Sequence, residues 1–130
     1  MKTLLSVKAA VETLAGLAFA FFSSWIFALL FGEQFNSPLG VLAGRIIGAA
    51  LVTLGVAGWL ARNDSRSHAA AGLIVALLLY DVAFVFILVS TYFATAMAGV
   101  ALWPAVVLHS ALAVCSLLCL RKDLAVVRAG

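Results

Sequence analysis

Charged side chains are scarce in this chain. Asp, Glu, Lys and Arg make up 10% of its 130 residues, against about 25% in an ordinary soluble domain. Hydrophobic residues make up 66%. A water-soluble fold of this size buries only about 60–70% of its surface, so so much apolar surface needs lipid as its solvent. Cysteine and proline are rare too, with two of each. Cys115 and Cys119 lie in an apolar run without zinc-type spacing, so they define no zinc site. No Gly-rich phosphate loop follows a strand, no Cys-x-x-Cys pair occurs, and no serine sits in a nucleophile elbow. With one histidine inside the apolar spans, a bis-histidine haem would need two copies of the chain. The sequence therefore points to no resident cofactor and no metal, and leans away from an enzyme.

What remains is a length suited to a single membrane domain covering residues 1–130. A spanning helix needs about 20 apolar residues, and in lipid its backbone must be satisfied within the helix. Four segments qualify, at about 9–31, 39–61, 70–93 and 100–120. Lys2 ahead of an apolar stretch and Ala18-Phe19-Ala20 suggest a cleavable signal, but Lys8 and Glu12 interrupt its apolar region. The expectation is an uncleaved first span. The break from Gly32 to Pro38 is turn-forming, with Pro38 suited to a helix start. The segment from Arg62 to His68 is the one hydrophilic loop. The last turn falls near Thr95 to Gly99, with Trp103-Pro104 in the first turn of the final helix. The expected fold is all-α, an antiparallel transmembrane four-helix bundle.

The net charge is +3. The cations flank apolar spans, which speaks for orientation in a membrane and against nucleic acid as a partner. Lys2, Lys8, Arg62, Arg66, Arg121, Lys122 and Arg128 share one side if the chain crosses four times, and the opposite side shows Glu33 with no Lys or Arg. This places both termini in the cytoplasm, in a cell membrane whose style suggests a bacterial inner membrane. Trp59 and Trp103 fit interfacial belts at the inner and outer surfaces.

The second span carries Gly40, Gly44, Gly48, Gly55 and Gly58. At about 100° per residue they fall within an arc of roughly 80°, with Leu51 in the same stripe. Such a face lets another backbone approach closely. It serves packing against a neighbouring helix, or a homodimer or partner interface. Arg45 stands beside it, either reaching outer headgroups or buried with a partner.

Asp81 lies near the middle of the third span and His109 near the middle of the fourth. A carboxylate at that depth faces the bundle or a water-filled cavity. Ile74 and Tyr92 share the stripe of Asp81, whereas Tyr80 points elsewhere. The matching depths predict a polar cluster of Arg45, Asp81 and His109, serving as a structural clamp, a proton relay or a substrate site. Lys8 and Glu12, spaced i, i+4, read as a simple helix pair; the alternative is a membrane-embedded Glu that titrates during transport. Cys115 and Cys119 read as small packing residues.

Four short helices with Glu12 in the first resemble small multidrug-resistance transporters, but the Gly-rich third helix and aromatic substrate box of that family are missing here. The stretch Gly44-Arg45-Ile46-Ile47-Gly48 through Gly55 to Ala61-Arg62 is similar to the second helix of small bacterial DoxX-like proteins, over about a fifth of the chain. That resemblance implies a four-helix bundle and transfers no catalytic residue. Three function classes follow. The first is an interaction or accessory protein working in the lipid bilayer through the glycine face, as a homodimer or in a larger membrane complex. The second is a transporter or lipophilic-ligand binder using Arg45, Asp81 and His109. The third is a small membrane redox or lipid-modifying enzyme subunit with His109 as base or ligand.

Overall fold

In a computed structural model, the chain forms four helices: α1 (Lys2–Phe31), α2 (Pro38–Ala61), α3 (His68–Thr95) and α4 (Leu102–Ala129). The structure describes residues 1–64 and 67–129, with side chains described as far as Lys122. Arg66 and the side chain of Arg128, both used above for orientation, lie outside the described residues. Each helix is long and apolar enough to cross a membrane. The protein is a multi-pass membrane protein built as a four-helix bundle.

Local chemistry explains the boundaries. Ser37 caps α2 by accepting a hydrogen bond from the Gly40 N–H at 3.0 Å, and Pro38 occupies the first helical turn. Ser67 caps α3 in the same way through the Ala70 N–H at 3.1 Å. Gly32 ends α1 in the left-handed region, φ 81°, and its N–H returns to Ala28 O. Inside α1, Phe22 leaves the helical region (φ −131°, ψ 36°) just before Ser23-Ser24, so the helix kinks at a serine pair. The first helix begins at Lys2 rather than near Ala9. Lys8 and Glu12 therefore belong to the body of the span.

The bundle is two close-packed hairpins set against each other, α1 with α2 and α3 with α4. In the first hairpin the glycines make the contact. A Cβ on Gly48 would stand 2.5 Å from Ala20 N and 2.6 Å from Gly16 O, and one on Gly16 would stand 2.7 Å from Gly48 O. Gly44 meets Ser23, Gly55 meets Thr13 and Ala9, and Gly58 lies over Ala9. Gly40 faces Phe35 and Ser37 in its own approach segment instead. In this chain the glycine stripe is thus an internal seam, covered by α1. The helix face available to a partner lies elsewhere.

The hairpins join at both ends. At the N-terminal end, Leu5, Ala70, Ile74 and Leu77 form a fully buried cluster. At the opposite end, the segment between α3 and α4 docks on the last turn of α1. There the Gly99 N–H donates to Leu30 O at 2.9 Å and the Ala101 N–H to Leu29 O at 2.8 Å. Those carbonyls have no partner within their own helix. Gly99 lies so close to Leu29 O that a side chain has no room.

Candidate functional site

Between the hairpins, about midway through the bundle, four ionisable side chains meet. At about 1.5 Å per residue, Glu12 lies about 15 Å along α1 from Lys2 and Asp81 about 20 Å along α3 from His68. By the same rise His109 lies about 20 Å from Lys122. With a hydrocarbon core about 30 Å thick, this is the bilayer interior.

Each residue is placed by the stripe it belongs to. On α1 the buried positions ahead of the kink are Leu5, Lys8, Ala9, Glu12, Gly16 and Phe19, a run at helical spacing, and Ser23 and Leu30 are buried beyond it. Lys8 and Glu12 fall on that stripe and are carried inward. On α3 the buried stripe is Ala70, Ile74, Leu77, Asp81 and Leu88. On α4, Leu102, His109, Leu112 and Ser116 are buried.

Asp81 is the hub. Its Oδ1 lies 2.8 Å from His109 Nδ1, and its Oδ2 accepts from Lys8 Nζ in a fully buried ion pair. Lys8 also donates to Leu77 O at 3.4 Å. Both carboxylate oxygens of Asp81 are therefore engaged. Phe84 stands 4.4 Å from the His109 ring, centroid to centroid, and Tyr80 stands 5.8 Å from it, edge-on. Glu12 is 1% exposed, and neither of its carboxylate oxygens has a hydrogen-bond partner among the described residues. One atom each from Glu12, Asp81 and His109 lie within 4.8 Å of one another.

The structure brings Asp81 and His109 together as their depths suggested, and adds Lys8 and Glu12. Arg45 does not join them. It is exposed on α2. Gly44 and Gly48 turn α2 onto α1, and Arg45, about 100° round from Gly44, faces outward with Ile46 and Ile47. From an exposed position there, an arginine can lay its stem along the apolar surface and reach toward headgroups with its guanidinium. Lys8 and Glu12 are not a simple helix pair either, because Lys8 binds Asp81 across the bundle and leaves Glu12 unpartnered. Tyr80, expected to point elsewhere, packs against His109: one residue from Asp81 on α3, its long ring spans the gap to α4. Cys115 is exposed on the helix surface and Cys119 half-buried, so Cys115 is no interior packing residue.

The signal for Lys8 and Glu12 was present in the sequence. They continue the i, i+3, i+4, i+7 stripe of Leu5, Gly16 and Phe19. A first span starting at Ala9 leaves Lys8 in the headgroups and hides that pattern.

A histidine and two carboxylates are a donor set that divalent transition ions accept. Here the ammonium of Lys8 and the imidazole of His109 already hold the two oxygens of Asp81. A metal would have to displace at least one of them. The arrangement fits hydrogen-bonded ionisable groups better than a coordination shell. No protein-family model matches this chain, and neither a curated protein nor a solved structure matches it.

Proposed function

We propose that this protein works in the membrane as a small carrier or ligand-binding protein, with Lys8, Glu12, Asp81 and His109 as its working centre. The observation that carries this reading is the burial of four ionisable side chains at mid-bilayer depth, one of them without a hydrogen-bond partner. Ionisable groups inside a membrane are expensive, and they mark solute or proton pathways. A bundle needing only mechanical stability is served as well or better by apolar residues at such positions. The accessory-protein reading loses its main support because α1 covers the glycine face. The Lys and Arg bias supports cytoplasmic termini and a bacterial inner membrane, and the DoxX-like resemblance enters for its architecture alone.

A second reading keeps the interaction role but moves it to the outer face of α3. An open apolar hollow lined by Val82, Val85, Phe86, Val89 and Ser90 favours it. Native mass spectrometry of gently extracted protein separates the two. A small molecule bound to wild type and lost in H109A, at equal expression, is the expected result. A protein partner without a small molecule, unchanged in H109A, would overturn the carrier reading in favour of the second.

A further inference from the structure

Counting formal charge around the centre gives an uneven sum. Lys8 and Asp81 form a buried ion pair and cancel. Glu12 adds a carboxylate that nothing hydrogen-bonds. His109 is neutral unless it gains a proton. Among the described residues, the other groups facing the centre change nothing. Tyr80 on α3 is uncharged, and α2 contributes no ionisable side chain from its buried positions, Gly44, Gly48, Leu51, Gly55 and Gly58. Arg45 is exposed, and Arg62 lies at the far end of α2 over the Trp59 ring. With Glu12 and His109 both deprotonated, the centre therefore carries one uncompensated negative charge in the middle of a bilayer.

A buried, unpaired charge of this kind is the costliest arrangement available, and proteins avoid it by pairing or neutralising it. One proton is sufficient here. Placed on Glu12 it gives a neutral acid; placed on His109 it gives an imidazolium opposite the Glu12 carboxylate, within the 4.8 Å grouping. Either form has zero net charge. A divalent cation would leave an excess positive charge and would have to displace Lys8 or His109 from Asp81.

We infer that the centre binds and releases a single proton, held between the Glu12 carboxyl and the His109 imidazole, while Lys8 and Asp81 remain a fixed ion pair. The inference rests on the reading of this cluster as the working centre and names the ligand it takes. Binding is the addition of H⁺ to a Glu12 oxygen or an imidazole nitrogen, and release leaves a net charge of minus one. The two groups act as one site, because a proton on either changes the field at the other. Asp81 positions the imidazole through Nδ1 with one oxygen and holds Lys8 with the other.

The test uses the full-length protein in native membranes and needs no solute, so it reads out whether or not the carrier reading holds. Carbodiimides attack protonated carboxyls, and peptide mapping locates the adduct; nitrogen-15 NMR of the histidines reports imidazolium. At neutral pH, either a Glu12 adduct or a protonated His109 is expected, with Asp81 unmodified. On an alkaline jump, wild type is expected to release one more proton per chain than E12Q. Neither signal at neutral pH, equal proton release from wild type and E12Q, or a stoichiometric bound metal would each overturn the inference. The labelling and NMR measurements need only wild type, so a folding defect in E12Q leaves the test decisive.

Discussion

Asp81 accepts from two helices at once, and this sets what happens when it is changed. Asp81→Asn keeps the shape but removes the charge that holds Lys8. Breaking one side of a buried ion pair costs about 3–5 kcal/mol, because the remaining charge is left without compensation. Asp81→Asn is therefore expected to lower the unfolding temperature of the detergent-solubilised protein clearly. The double variant Lys8→Met/Asp81→Leu removes both charges and is expected to recover most of that loss. A single variant as stable as wild type in a circular-dichroism melt would mean that the pair contributes nothing. Asp81 and His109 were legible in the sequence because an ionisable residue in an unbroken apolar run has few places to go. Lys8 and Glu12 were harder to read. Their i, i+4 spacing offered a local partnership, and only the packing of α3 against α1 shows that Lys8 takes Asp81 instead. Arg45 was misread for the opposite reason: depth alone does not reveal azimuth, which the neighbouring glycines decide.

At the scale of a helix, the contact between α1 and α2 depends on missing side chains. Gly48 and Gly16 bring backbone against backbone, so even one methyl group forces the helices apart. Gly48→Ala is expected to destabilise the protein by about 1–3 kcal/mol, the range for overpacking a tight interior. Gly72, on α3, has nothing within 4 Å of where its Cβ would be. There the same substitution should be neutral or stabilising by up to about 1 kcal/mol, through helix propensity alone. Comparing the two melts separates packing from propensity, and equal effects would argue against the internal seam. Helix number, the Pro38 start and the turn before Trp103 were all readable from the sequence, because caps and breakers act locally. The reach of α1 back to Lys2 was not, since a lysine within the first turns looks like the edge of a membrane span. Nor did the residues around Phe22 announce a kink, beyond the serine pair that follows it.

For the whole molecule, the two hairpins and their charges make one statement about orientation. Lys2, Arg62, Arg121 and Lys122 all belong to the end where α1 begins. With cytoplasmic termini, an impermeant thiol reagent applied outside intact cells should label Asn36→Cys and spare Asp64→Cys, in a background lacking the native cysteines. The reverse pattern would invert the assigned topology. The bundle is also tied differently at its two ends. Backbone hydrogen bonds from Gly99 and Ala101 hold the C-terminal end of α1, whereas side-chain packing of Leu5 with Ala70, Ile74 and Leu77 closes the other. The ion pair between those ends has a history as well as a geometry. Lys8 and Asp81 are 73 residues apart, so at about 5–20 residues per second roughly 4–15 s of synthesis separate them. During that interval the first hairpin holds its ammonium in the ribosome's company without its final counterion. The nearest carboxyl already made is Glu12, one helical turn away, so until Asp81 is synthesised the residue left alone in the finished bundle is the carboxylate within helical reach of Lys8.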